Sequence, residues 1–129
     1  MSSGASNLAN QSGTANSNIV DLGSTTPFSV TEIIAAQIVT TAASGSGAAA
    51  NNKNSTVQLM HSADNATTNM VNIPTIAPLI IPEVSAVYAA STWNVSLPSN
   101  TARYVMAQSK TEANGGNANT GTQTLKILF

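Results

Sequence analysis

The sequence predicts an all-β fold, a jelly-roll or other β-sandwich, and three observations lead to this prediction. Apolar and polar residues alternate along several segments with a period near two, the spacing of a strand that buries one face. Short runs of turn-forming residues separate these segments. Hydrophobic residues make up 42% of the 129 residues, which is enough for one domain with a modest core. We expect about seven or eight short strands.

The N-terminal part of the chain differs in composition from the rest. Residues 1–17 are almost wholly small and polar, interrupted by Leu8, and this composition is typical of a flexible arm. We therefore expect a flexible N-terminal arm over residues 1–17 and a single β-sandwich domain over residues 18–129. The arm is either a tail without a function of its own or a segment that becomes ordered against a neighbouring subunit.

Alternation is clearest in the segments that we expect to supply the core. It predicts strands over residues 56–62, 93–97 and 122–129. Residues 102–109 are expected to form another strand, with both faces partly apolar. Residues 67–73 are expected to form a partner strand beyond a turn at Asp64-Asn65. The residues expected to face the core are Val57, Leu59, Trp93, Val95, Leu97, Val105, Leu125 and Ile127.

Residues 27–42 fit two kinds of secondary structure. Residues 29–32 match a helix capping box, and Ile34 and Ile38 have helical spacing. β-Branched residues dominate the segment, however, and they favour strands. We therefore predict a strand here, with a β-bulge beside Ile34.

A proline-rich segment follows the predicted partner strand. Pro74, Pro78 and Pro82 are evenly spaced, and because proline has no N–H donor we expect an edge or a connection rather than a central strand. The apolar residues of this segment are Ile76, Leu79, Ile80 and Ile81. They predict either a loop that covers the core or a contact patch for another subunit.

Charged residues are scarce, at 7% of the chain against roughly 25% in an ordinary soluble domain. Four Lys and Arg residues against five Asp and Glu residues give a net charge of −1. So few cations cannot form the basic stripe of a nucleic-acid binder or a polybasic membrane anchor, and we expect neither kind of partner. A weakly charged surface is instead typical of a protein that packs against other proteins.

No group of residues predicts catalysis or metal binding. The chain has no cysteine, which excludes disulfides and thiolate sites. His61 is the single histidine, and at the end of an apolar strand face it is more typical of packing than of chemistry. The five carboxylates, which fall in separate segments and suggest no catalytic pair, are Asp21, Glu32, Asp64, Glu83 and Glu112. We therefore expect no enzymatic activity, no cofactor, no metal and no small-molecule substrate.

The order of several segments resembles a family of viral proteins. These segments are NIVDLG at 18–23, TVQLMHSADN at 56–65, LP at 97–98 before RYV at 103–105, and GTQTLKIL at 121–128. Together they resemble the capsid cement, or decoration, proteins of tailed bacteriophages, of the type found in Bordetella phage and some cyanophages. The resemblance covers roughly residues 18–129, and its motifs are structural rather than catalytic.

The resemblance implies a jelly-roll or β-sandwich made in the host cytoplasm and located on the exterior of the capsid in the virion. Its implied partners are the major capsid protein and further copies of itself, as a dimer or trimer. The long polar arm and the proline-rich segment depart from a typical member. We expect apolar residues to make the capsid or subunit contacts, namely Leu8, Ile19, Ile76, Leu79, Ile80 and Ile81.

Other functions are compatible with the sequence. The chain could be a tail, fibre or other minor virion protein, which copy number per particle would distinguish from a cement protein. It could also be a carbohydrate-binding β-sandwich in which Trp93, Tyr88 and Tyr104 form a stacking platform, although so few aromatic residues more often anchor a core.

Overall fold

The computed structural model describes residues 2–8, 14–23, 35–44, 54–84, 87–112 and 121–128. These residues form twelve β-strands and one short 3₁₀ helix. The strands make two antiparallel sheets that pack together as a β-sandwich, so the predicted all-β class is confirmed.

The smaller sheet joins the first and last described strands of the chain. Its order is β1 (Ser2–Asn7), β12 (Thr122–Leu128), β4 (Ala35–Thr40) and β10 (Ser91–Ser96). Alternate residues of β4 are buried, as expected for a strand with one face on the core. Ile38 of β4 lies opposite Leu125 on one side and Trp93 on the other, which places three large apolar residues in one cross-strand row.

The larger sheet is built around two long strands. Its order is β2 (Thr14–Asn16), β11 (Tyr104–Thr111), β6 (Asn54–Ser62), β8 (Leu79–Val84), β9 (Val87–Tyr88) and β5 (Ala43–Ser44). Two further strands, β3 (Val20–Asp21) and β7 (Val71–Asn72), pair with β11 and β6 respectively. The β6–β11 ladder runs from Ser62 opposite Tyr104 to Ser55 opposite Thr111.

The apolar core lies between the two sheets and contains six of the eight residues that were predicted to face it. Val57 and Leu59 of β6 and Leu125 and Ile127 of β12 are fully buried. Trp93 and Val95 are only partly buried, but both pack against this core. The predicted facing of these strands is confirmed.

One part of the interior is polar, and the sequence did not predict it. Gln123 of β12 donates from Nε2 to Ser109 Oγ at 3.3 Å and to the Ala15 carbonyl oxygen at 3.1 Å. Ser109 Oγ donates to the same carbonyl at 3.3 Å, and Thr111 Oγ1 donates to Ser55 Oγ at 3.0 Å. The two bonds from Gln123 join the smaller sheet to β2 and β11 of the larger one, and the other two lie within the larger sheet. Together they satisfy polar groups that are otherwise costly to bury.

The N-terminal residues differ from the expected flexible arm wherever the structure describes them. Ser2–Asn7 form β1 against β12, and Leu8 is buried in the core. Thr14–Asn16 form β2 against β11. Composition did not predict these strands because backbone hydrogen bonds hold them. Small polar residues make such bonds as well as large residues do.

Two expectations for the middle of the chain need correction. The expected partner strand over 67–73 is a 3₁₀ helix at Thr67–Asn69 followed by the two-residue strand β7. The proline-rich segment is a connection only up to residue 78, because β8 then lies between β6 and β9. Pro82 is tolerated because it is the last residue of β8 paired to β6, where the missing N–H ends the ladder.

Part of the predicted strand over 27–42 lies outside the described residues. The structure has a strand over Ala35–Thr40, whereas the expected bulge beside Ile34 falls outside the described part. Residue 129, expected at the end of the last strand, also lies outside it.

Truncations of buried and exposed side chains should differ in their effect on stability. We expect Leu59→Ala and Leu125→Ala each to lower the free energy of unfolding by about 2–5 kcal/mol, because each leaves a cavity at a fully buried site. Ile80→Ala is the control, since Ile80 is 57% exposed and its truncation should change stability by about 0.5 kcal/mol at most. Denaturant unfolding measures all three, and equal losses would contradict the assigned faces.

Candidate interaction surface

A row of exposed apolar residues runs along the hairpin formed by β8 and β9. It consists of Ile80, Pro82, Val84 and Val87, and we call it the hairpin row. The first three share one face of β8 because side chains alternate along a strand. Val87 of β9 lies directly opposite Val84, so its side chain extends the same face.

The opposite face of the hairpin fixes the orientation of this row. Ile81 of β8 and Tyr88 of β9 are fully buried and belong to the core. Their burial turns the hairpin row outward and holds it there. Ile80, Val84 and Val87 are 57%, 62% and 46% exposed. Single exposed hydrophobic residues are ordinary, but a contiguous row on one hairpin is typical of a contact surface.

The six residues that the sequence suggested as contacts do not form one surface. Leu8, Ile76 and Ile81 are buried in the core, so they do not lie on the outer surface of the single chain. Ile19 and Leu79 are half-buried, and Leu79 packs against the core. Ile80 is exposed and lies in the hairpin row. Apolar character alone could not separate the two faces of β8.

Sequence reasoning also missed Val84 and Val87. Their signal was the alternation from Ile80 through Pro82 to Val84, a period of two that continues past the proline. Because the prolines predicted an edge or a connection, the predicted apolar segment ended at Ile81, before these valines.

The surroundings of the hairpin row carry little charge among the described side chains. Ile80 lies opposite Thr56, which in turn lies opposite Lys110 on the same outer face of the sheet. Lys110 is exposed, two strands away from the row. Glu112 is also exposed, and its carboxylate accepts a hydrogen bond from the N–H of Asn54, which lies opposite Pro82. A partner that meets this face would therefore find an apolar strip beside hydroxyl and amide groups, with one basic and one acidic side chain at the end of β11.

A second cluster of polar groups lies where β3 meets the start of β11. Arg103 binds the Asp21 carboxylate through two hydrogen bonds, from Nε at 2.7 Å and from Nη2 at 2.8 Å. The Gly23 N–H donates to the same carboxylate, in a turn where Gly23 has a φ of 79° that suits glycine. The bonds from Arg103 and then from Gly23 lower the pKa of Asp21 to about 2. Both side chains are partly exposed, so this pair positions the chain more than it stabilises it.

His61 takes part in a backbone contact beside this cluster. Its Nδ1 accepts a hydrogen bond from the Ala102 N–H at 3.1 Å, which requires that nitrogen to be unprotonated. Burial lowers the pKa of His61. The histidine thus ties the end of β6 to the turn that precedes β11. Among the described residues, no group of three His, Cys, Asp or Glu side chains is placed to hold a metal ion.

The aromatic residues do not form the stacking platform that a carbohydrate-binding function would need. Tyr88 is fully buried in the core, so its ring cannot meet a sugar. Trp93 packs against the core from β10, and the Tyr104 ring lies 5.1 Å from the Arg103 guanidinium carbon. Each ring therefore has a structural neighbour within the chain.

No protein-family model matches the chain, and no curated protein matches it. Within the described ranges, no helix has the length and apolar character needed to cross a membrane.

The His61 contact predicts a pH dependence of stability. Because burial lowers the pKa of His61 below 6.5 in the folded chain, the unfolded chain binds the proton first as the pH falls. This contribution to stability is full above about pH 6.5 and is lost as the pH falls through the folded-state pKa. We expect His61→Gln, whose amide oxygen can accept the same bond, to flatten the fall in Tm between about pH 7 and pH 5. Parallel curves for the two proteins would contradict this role.

Proposed function

We propose that this chain is a non-enzymatic structural protein of a virus particle that binds the outside of the capsid shell and stabilises contacts between major capsid subunits. The hairpin row forms part of the contact. The observation that carries the proposal is this outward apolar row on a hairpin whose other face is anchored in the core. Such a surface is preformed, so little ordering entropy opposes its binding.

The scarcity of charge supports attachment through apolar area. Nine formally charged side chains, four basic and five acidic, cannot supply a dense network of interfacial ion pairs. Exposed pairs stabilise by only about 0–1 kcal/mol each, whereas apolar burial contributes about 25 cal/mol per Å² before the costs of association. Attachment through apolar contact is therefore the mode that this composition favours.

The hairpin row is too small to form a specific interface alone, so other surfaces must take part in the contact. A specific interface buries about 1,200–2,000 Å² in total, which exceeds what four side chains cover. The neighbouring outer face of β6 and β11 lies in continuity with the row and offers polar groups for a rim. Repetition over a shell then multiplies a modest contact into a large effect on particle stability.

The resemblance to phage cement proteins supports the location on a capsid exterior, the major capsid protein as partner and self-association. It also supports jelly-roll connectivity within the β-sandwich. Copy number separates this proposal from a tail or fibre part, because a cement protein saturates a shell at hundreds of copies whereas a tail part is present in a few.

A pair of matched variants tests the hairpin row. Val84→Asp should strongly reduce occupancy of purified shells while the isolated protein stays folded, because it places a charge in the exposed apolar row. Val71→Asp is the control, since Val71 is equally exposed but pairs with the opposite end of β6 from the row. Quantitative gel analysis of sedimented shells gives the occupancy of each protein.

The outcomes of this experiment are distinct. Equal occupancy by Val84→Asp and the unmodified protein would remove the hairpin row from the contact. No binding of the unmodified protein to shells would contradict the proposed function itself. Release by about 0.5 M salt would show that the few charges, rather than apolar area, hold the protein on the shell.

A further inference from the structure

The strand β1 is attached to the molecule in an unusual way. It forms the edge of the smaller sheet and pairs on one side only, with six residues opposite β12. The ladder continues with the Leu8 N–H donating to the Gly121 carbonyl oxygen at 3.0 Å, and Leu8 is 1% exposed in the core. The ladder and the buried Leu8 side chain attach the strand to its own chain, and its backbone also lies close to β2 and β3 of the larger sheet.

This attachment does not depend on which copy of the chain supplies the strand. The ladder uses main-chain groups, and residues 2–7 read Ser-Ser-Gly-Ala-Ser-Asn. Because β1 lies at a sheet edge, it can leave β12 without breaking any other ladder among the described strands. If β1 left, the β12 edge would be unpaired and the site of the Leu8 side chain would be empty. The same segment of another copy could pair with that edge and fill that site equally well.

The next strand stays with its own domain. β2 pairs with β11, and its Ala15 carbonyl accepts bonds from the buried Ser109 and Gln123. From Leu8 to Thr14 the chain takes six residue steps, which span roughly 20 Å at most when fully extended. A strand that leaves one copy can therefore pair with β12 of a second copy only if the two copies lie side by side.

We propose that β12 and the Leu8 site of one copy accept β1 of a second copy, so that neighbouring chains exchange their N-terminal strands. The surface is the β12 edge, and its partner is a second copy of this chain. Since the bonds made within one chain and between two chains are the same, concentration decides between them. Exchange is favoured near the millimolar range, where a second chain competes with the tethered strand. This surface is separate from the hairpin row, and the inference stands whether or not the chain binds a shell.

The absence of cysteine allows a direct test by disulfide trapping. Ala5 and Thr124 are opposite each other in the β1–β12 ladder. Ala5→Cys and Thr124→Cys are purified separately, one with an added peptide tag, then mixed at about millimolar concentration and oxidised mildly. We expect a reducible disulfide between the two variants that is several-fold more abundant than in a mixture of Ala5→Cys with Lys110→Cys. Lys110 is exposed but lies on the larger sheet, away from β1.

A double variant separates a failed exchange from a failed reaction. Ala5→Cys/Thr124→Cys in one chain should form an internal disulfide when dilute, which establishes that the two positions can react. Disulfides between chains should replace the internal one as the protein concentration rises. If the double variant closes internally at every concentration, and the mixed single variants give no more disulfide than the Lys110→Cys control, strand exchange is refuted.

Discussion

The antiparallel ladder between β6 and β11 is the interaction on which the rest of the structure depends. Its eight residue pairs set the register of the larger sheet. The free edge of β11 then holds β2 and β3, and the free edge of β6 holds β7 and β8. The exposed hairpin is placed through β8, so the outward direction of its valines follows from the alternation that buries Val57 and Leu59 on β6.

The features that the sequence predicted are those governed by burial of large apolar side chains. A one-residue slip would turn Leu59 or Leu125 out to water, so alternation at these positions identifies both the strand and its inner face. The same logic would have extended to Val84 and Val87. At Pro82 the alternation was set aside because proline lacks an N–H donor. That objection applies to the middle of a ladder, whereas Pro82 is in the last pair between β8 and β6.

The features that the sequence did not reveal depend on hydrogen bonds rather than on hydrophobicity. The residues of β1 have no apolar pattern, and a backbone ladder to β12 needs none. From the sequence, Gln123 is expected on the surface. In the structure its amide donates to Ser109 Oγ and to the Ala15 carbonyl across the sandwich. A buried polar group of this kind is satisfied by partners distant in sequence, which no local spacing encodes.

The register of β1 on β12 has a consequence for the connectivity of the chain. Ser2 lies opposite Ile127, so the first and last described strands bring their outer ends together, about 5 Å apart. A short linker between them would turn two strands that are distant in sequence into a β-hairpin. A circular permutant with new termini in an exposed loop would then keep all the native pairings. In such a molecule the edge strand is covalently tied to its own neighbour, so the permutant offers a monomeric reference without a change to any interior residue.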